Sequence, residues 1–149
     1  MDIPQKTNGD SGAVVPVYRL YNETNMEHLY TMNPVERQMC ISVGWKDEGI
    51  GWYGPQKSNW PVRRLYHAPS GSHVYSQNPA EMDMLVAAGW KLEGVAFYSS
   101  QTKAIEVRRQ YLPSRNLHNY SYNPVEIEML GKMGWKLEGT AWFACLPPK

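Results

Sequence analysis

Three copies of a 45-residue unit follow one another in this chain without a gap. The same residue types recur at matching positions, as Arg19, Arg64 and Arg109 illustrate. A fixed period of this length is typical of repeat architectures, in which one unit cannot bury its own apolar face and packs against its neighbours. We therefore expect a single domain in which any functional surface occurs three times. The predicted units are residues 16–60, 61–105 and 106–149.

Composition argues against several classes of function. The chain has 149 residues, enough for one domain with a real core, and its 15 basic and 14 acidic residues form no basic block. We therefore expect no nucleic-acid partner.

No apolar run reaches membrane-spanning length, so no membrane partner is expected either. The stretch Gln5–Ala13 is polar, and residues 1–15 are interpreted as a flexible linker from an upstream catalytic domain. Cys40 and Cys145 lie at unmatched positions and leave the redox compartment open.

The first half of each unit reads as two strands. Alternation in 17–21 places Arg19 and Tyr21 on one face of a strand. A turn follows, and a second short strand carries His28 and Tyr30 on one face. We expect the two strands to pair as a hairpin, which would bring these four side chains together.

The second half of each unit reads as a helix followed by a third strand. Asn33, Pro34 and Glu36 form a helix start, in which Asn caps free N–H groups and Glu completes a capping box. Gly44 can end the helix in the left-handed conformation. The third strand is predicted over 45–53. The predicted helices are 34–43, 79–88 and 124–133.

These elements predict an α+β fold. Each unit is β-β-α-β, and three units are expected in a closed pseudo-threefold arrangement. The connectors 54–60 and 99–105 have equal length, as such a ring requires.

Six positions in each unit combine aromatic rings with polar side chains on repeated faces. Aromatic faces pack on the C–H surfaces of sugars while polar groups bond to hydroxyls. We therefore predict these positions as ligand-binding. They are Arg19, Tyr21, His28, Tyr30, Glu48 and Trp52 in the first unit; Arg64, Tyr66, His73, Tyr75, Glu93 and Phe97 in the second; and Arg109, Tyr111, His118, Tyr120, Glu138 and Trp142 in the third.

The same residues have a structural interpretation. Arg19 would pair with Glu36 or Glu48 and pin the hairpin to the helix within one unit. The aromatic residues would then form the core of a small repeat protein. Both interpretations stay open at this point.

Metal and catalytic sites are weaker alternatives. Three symmetry-related histidines could form a three-His site, but no second ligand lies three or four residues from any of them. We predict no metal and no cofactor. Glu36 and Glu48 suggest a glycosidase pair, yet three similar copies do not supply the unequal environments that acid and base need. We predict that the protein is not an enzyme.

The repeated motifs resemble those of a known family. The first unit contains Tyr18-Arg19-Leu20-Tyr21-Asn22, His28-x-Tyr30-Thr31, Gly44-Trp45 and Glu48-Gly49-x-Gly51-Trp52-Tyr53. This string is similar to the Y-R-L-Y-N…H-x-Y-T…G-W…E-G-x-A-W/Y modules appended to bacterial secreted hydrolases and phage endolysins. The resemblance covers 16–143 and is weakest in the third unit, where Gln110 replaces Leu20.

The resemblance implies a location and a partner. It points to an extracellular or bacterial cell-surface module that binds cell-wall polysaccharide or another surface glycan and targets a larger enzyme. The alternative is a structural or protein-interaction repeat domain without a sugar site.

Overall fold

The computed structural model describes residues 10–148, which form nine strands and three helices. The first unit contains β1 (Ser11–Asn22), β2 (Glu27–Thr31), α1 (Pro34–Ser42) and β3 (Lys46–Lys57). The second contains β4 (Pro61–His67), β5 (Ser72–Ser76), α2 (Pro79–Ala87) and β6 (Lys91–Tyr98). The third contains β7 (Ile105–Leu112), β8 (Leu117–Ser121), α3 (Pro124–Lys132) and β9 (Lys136–Ala144). The predicted order of elements and the α+β class are confirmed.

Each unit is built on a three-stranded antiparallel sheet with its first strand in the centre. The strand orders are β2-β1-β3, β5-β4-β6 and β8-β7-β9. In the first sheet Arg19 lies opposite Tyr30 and Tyr21 lies opposite His28. Because directly opposed residues share a face, the predicted hairpin brings these four side chains to one side of the sheet.

The N-terminal boundary differs from the prediction. Residues 1–9 of the predicted linker lie outside the described residues, but β1 begins at Ser11, and Val14 pairs with Pro55. The Asp10 carboxylate accepts hydrogen bonds from the Ser100 hydroxyl at 2.7 Å and from the Gln101 N–H at 2.9 Å. Residues 11–15 therefore belong to the sheet. The predicted linker extended a polar stretch that ends at Ala13, whereas Val14 and Val15 pair with the long third strand.

The helices begin with the predicted asparagine caps, but Glu36 does not complete a capping box, because the Asn33 N–H donates to Thr31 Oγ1 at 3.0 Å and the Glu36 carboxylate binds Arg64. The Asn33 side chain accepts the N–H groups of Val35 at 2.8 Å and Glu36 at 3.3 Å. Asn78 and Asn123 cap α2 and α3 in the same way. Each helix ends one residue before its predicted end. Of the described helical residues only Met82 is buried, so the helices lie on the surface of the sheets. None of these helices has the length and apolar character needed to cross a bilayer.

The core lies where the three units meet. Ring centroids of Tyr30, Tyr75 and Tyr120 are 5.4 Å apart in each of the three pairs, with their edges directed at faces. Trp52 and Trp142 pack beside them, with centroids 5.7 Å apart. Edge-to-face contacts of this kind add stability beyond the area that they bury.

Tyrosine hydroxyls also satisfy backbone groups in the core. Strands β2, β5 and β8 are edge strands, whose unpaired N–H groups would be costly to bury. The Tyr30 N–H donates to the Tyr75 hydroxyl at 2.8 Å, the Tyr75 N–H to the Tyr120 hydroxyl at 3.0 Å, and the Tyr120 N–H to the Tyr30 hydroxyl at 3.1 Å. Each unit thus supplies an acceptor to an edge strand of another unit.

Candidate functional site

A cleft opens between each pair of units. The first cleft, between the first and second units, has a volume of about 420 Å³. The second cleft, between the second and third units, measures about 180 Å³. The third cleft, between the third and first units, measures about 360 Å³. Three clefts of similar construction therefore exist, one for each pair of units.

The clefts share one set of polar residues. In the first cleft, Arg64 and Glu93 of the second unit face Asn33 and Glu36 of the first. The same four positions line the other two clefts. They are Arg109, Glu138, Asn78 and Glu81 in the second cleft, and Arg19, Glu48, Asn123 and Glu126 in the third.

An arginine between two carboxylates forms the floor of each cleft. In the third cleft Arg19 Nε donates to Glu48 Oε1 at 2.8 Å, while Nη1 and Nη2 donate to the two oxygens of Glu126 at 3.0 and 2.9 Å. Arg64 makes the same contacts with Glu93 and Glu36. The bidentate fork fixes the guanidinium plane and leaves carboxylate oxygens as the acceptors that the floor presents.

The floor carries one surplus negative charge. Burial alone would raise the pKa of Glu36, but hydrogen bonds from Arg64 and Thr31 outweigh it, and the pKa lies below its ordinary value. The pKa values of Glu81 and Glu126 are lowered in the same manner, against burial, by Arg109 and Arg19 respectively. One guanidinium and two carboxylates give each cleft a formal charge of −1.

The predicted histidines lie beside the floor. His28 Nε2 is 3.1 Å from Glu48 Oε1, and its ring centroid is 4.8 Å from that of Tyr21. The Tyr66–His73 and Tyr111–His118 pairs have the same ring contact at 4.9 Å.

Two of the histidines have environments that differ from that of His28. His73 Nδ1 lies 2.9 Å from the buried carboxylate of Glu27, across the boundary between units. Burial, followed by the positive charge of Arg109, lowers the pKa of His118 to about 4.

Among the described residues, no three His, Cys, Asp or Glu side chains are close enough to hold a metal ion.

Six predicted ligand-binding positions are unavailable to a ligand. Their side chains are at most 2% exposed, because the sheets turn that face toward the other two units. Without an accessible ring face they cannot serve as sugar platforms, so the prediction is wrong for these positions. They are Tyr30, Tyr75, Tyr120, Trp52, Phe97 and Trp142.

The predicted ion pairs are only half correct. Arg19 does pair with Glu48 of its own unit, but the second carboxylate, Glu126, comes from the third unit. Glu36, the predicted alternative partner, binds Arg64 instead. A gapless repeat places equivalent residues at every unit, so the sequence could not decide whether a pair closes within a unit or between units.

Residues on the rims of the clefts were missed by sequence reasoning. Ile50, Val95 and Tyr122 are exposed by 46%, 43% and 42%, and each lines a cleft. Tyr122 aligns with Met32 and Gln77, so its position varies among the units. A search for repeated residues passes over such positions, and the signal that could have found Tyr122 is its place directly after the second strand of its unit.

The fold and the site define a class of protein. It is a triple-repeat α+β protein with one polar cleft at each unit boundary. The chain belongs to the family described as Domain of unknown function (DUF5648), which matches residues 14–145. No curated protein and no solved structure matches this chain.

Proposed function

We propose that this protein is a noncatalytic module that binds cell-wall polysaccharide or another glycan on a bacterial surface. In this role it works extracellularly and targets a larger secreted or phage-encoded enzyme. The observation that carries the proposal is the triplicate cleft with its constant floor. A polysaccharide presents the same group many times, so three weak sites on one frame gain avidity of about 10²–10⁴ over a single site.

The proposal includes a closed pseudo-threefold arrangement of the units. Support comes from contacts that run in a cycle. The arginine of the second unit binds Glu36 of the first, that of the third binds Glu81 of the second, and that of the first binds Glu126 of the third. The tyrosine hydroxyls connect the same three pairs of units.

Backbone contacts support closure at the chain ends. The Cys145 N–H donates to the Tyr53 carbonyl at 2.8 Å and joins the last strand to the first unit. The Ser100 N–H donates to the Phe143 carbonyl at 2.9 Å at the equivalent boundary between the second and third units. The third equivalent position is Pro55, which has no N–H to donate.

The chemistry of the clefts suits sugar hydroxyls. Carboxylate oxygens of the floor accept hydrogen bonds, and Glu48 keeps 30% of its side chain exposed beside the arginine. Apolar rim residues such as Ile50 and Val95 offer contact to C–H surfaces. The volumes of the first and third clefts lie at the small end of the range for ligand pockets, and that of the second lies below it, which fits short segments of a chain rather than a large ligand.

Direct binding tests the proposal. A fluorescently labelled domain is incubated with a panel of bacterial cells and with purified wall fractions, and bound fluorescence is measured. A blocked variant carries a bulky ring at one exposed rim position of every cleft, which should remove binding while leaving the floor intact. Its substitutions are Ile50→Trp, Val95→Trp and Thr140→Trp.

The matched control carries the same new side chain on exposed strand positions outside the clefts, at Leu92→Trp and Leu137→Trp. It should bind cells and wall fractions as the wild type does. Absence of wild-type binding across the panel, or equal binding by the blocked variant, would contradict the proposal. Release of soluble fragments from purified peptidoglycan by the isolated domain would contradict its noncatalytic part.

A structural or protein-interaction domain without a sugar site is the second candidate. It is favoured by the mutual pairing of the charged residues and by the burial of Tyr30 and Trp52. On this alternative the polar floor serves only to join the units. The blocked variant separates the two functions, because its substitutions lie on the rim and spare every contact of the floor.

A further inference from the structure

We propose that the third cleft is the principal glycan site, that Tyr122 is its stacking platform, and that its ligand is an uncharged glycan chain of at least two sugar rings. This inference rests on the proposed function. It begins from a difference among the repeats. At the position after the second strand, the first unit has Met32, the second has Gln77 and the third has Tyr122.

Tyr122 is the feature that sets the third cleft apart. This residue is 42% exposed and lines the cleft beside Arg19 and Glu48. The first and second clefts share the charged floor but place a thioether or an amide at this position. An aromatic face held beside hydrogen-bonding groups gives a sugar ring both of the contacts that it needs.

A second cavity shares lining residues with the third cleft. It has a volume of about 490 Å³, and both cavities are lined by Tyr122 and Pro124. Lys103, Ala104 and Ile127 also line the second cavity. Tyr122 and Pro124 therefore contribute to the walls of both cavities. A single sugar fills only one cavity, whereas an extended chain contacts both.

The charges that line the two cavities favour an uncharged chain over a negatively charged one. The floor of the third cleft has a formal charge of −1 from Arg19, Glu48 and Glu126. In the second cavity Lys103 and Arg108 are balanced by Glu106 and Glu128. No net positive charge is available for the phosphates of a teichoic-acid-like polymer, and the floor repels them.

Binding to glycans of defined length and charge tests the inference. The probes are immobilised oligomers of N-acetylglucosamine, glucose and mannose, each from one to four rings, and purified wall teichoic acid. We expect at least one uncharged series to bind, with affinity rising from one ring to two or more. Wall teichoic acid should not bind.

Variants locate the site. Tyr122→Ala should weaken binding about tenfold, whereas Tyr122→Phe keeps the ring and should remain within about threefold of the wild type. Met32→Ala and Gln77→Ala are the matched substitutions in the other clefts and should each cause a smaller loss than Tyr122→Ala. Circular dichroism of every variant checks the fold, which an exposed position should not disturb.

The outcomes separate the inference from the proposed function. If the wild type binds cells but Tyr122→Ala loses no more affinity than Gln77→Ala, the inference is wrong while the proposed function stands. Binding of teichoic acid, or equal affinity for one ring and for four, also overturns the inference alone. If the wild type binds neither cells nor wall fractions, the proposed function fails and the inference fails with it.

Discussion

Arg64 of the second unit binds both carboxylate oxygens of Glu36 in the first unit. Glu36 is also the third residue of α1, where its backbone N–H is held by the Asn33 cap. A carboxylate at this place is stabilised by the helix N-terminus. One side chain therefore joins a helix start, a cleft floor and a unit boundary. Any change to it should affect both the stability of the fold and the shape of the first cleft.

The first prediction concerns this ion pair. Glu36→Gln keeps the size of the side chain but removes its charge and one acceptor from the Arg64 fork. Hydrogen bonds to charged groups contribute about 1.5–3 kcal/mol, and partial exposure reduces this, so we expect a loss of about 1–2 kcal/mol in the free energy of unfolding. Urea denaturation measures it.

Asp47→Asn is the control for that prediction, because it weakens an exposed ion pair with Arg37 within one unit. Exposed pairs contribute about 0–1 kcal/mol, so the control should change little. Equal losses in the two variants would show that the pair across the unit boundary has no special role.

Local structure was predictable because its determinants lie close together in sequence. The caps at Asn33, Asn78 and Asn123 bind N–H groups two and three residues further on. Arg19 and Tyr30, which lie opposite each other in a hairpin, are 11 residues apart. The choice between Glu36 and Glu126 as the partner of Arg19 depends on how the units pack. Identical residues in every unit make both choices look the same in the sequence.

The candidate site was harder to predict for a related reason. A repeated face that carries tyrosine beside arginine fits a sugar site, and it equally fits a core in which tyrosine hydroxyls satisfy edge strands. Because Tyr30 and Trp52 are buried, they belong to the core and not to a sugar site. Tyr122, by contrast, departs from the repeat, so a search for what recurs could not select it.

The second prediction concerns the tyrosine hydroxyls of the core. Tyr75→Phe removes the acceptor of the buried Tyr30 N–H, which is then left without a partner. An unsatisfied buried donor costs about 1–3 kcal/mol, and we expect a loss of that size in the free energy of unfolding. Tyr66→Phe in the same unit is the control, since Tyr66 is only partly buried and stacks on His73 through its ring, which phenylalanine retains. A loss no greater than that of the control would mean that water or a shifted backbone satisfies the Tyr30 N–H.

The third prediction concerns acid sensitivity. Burial, with Arg109 nearby, lowers the pKa of His118 from its ordinary 6.5 to about 4. Between these values the unfolded chain binds more protons than the folded one, so this histidine makes the free energy of unfolding fall as pH drops from about 6.5 toward 4. His118→Gln removes the titrating group, and the variant should lose less stability than the wild type over this interval.

Two measurements check the third prediction. Urea denaturation at several pH values compares the wild type with His118→Gln, so that contributions from other groups cancel in the difference. Nuclear magnetic resonance follows the His118 ring directly and should report a midpoint near pH 4. Parallel stability curves, or a midpoint at the ordinary value, would count against a buried neutral imidazole at this position.

The last prediction concerns the helix caps. The Asn78 side chain accepts the N–H groups of Ala80 at 2.9 Å and Glu81 at 3.4 Å. Asn78→Ala leaves both without a side-chain acceptor and should lower the free energy of unfolding by about 0.5–2 kcal/mol. Asp83→Ala, an exposed change inside α2, is the control and should have little effect. Because the Asn33 and Asn123 caps are built in the same way in other units, replacing all three by alanine should give a loss close to the sum of the single losses. An unchanged melting temperature for Asn78→Ala would show that the first turn of α2 is held by the proline and the Arg109–Glu81 contact rather than by the cap.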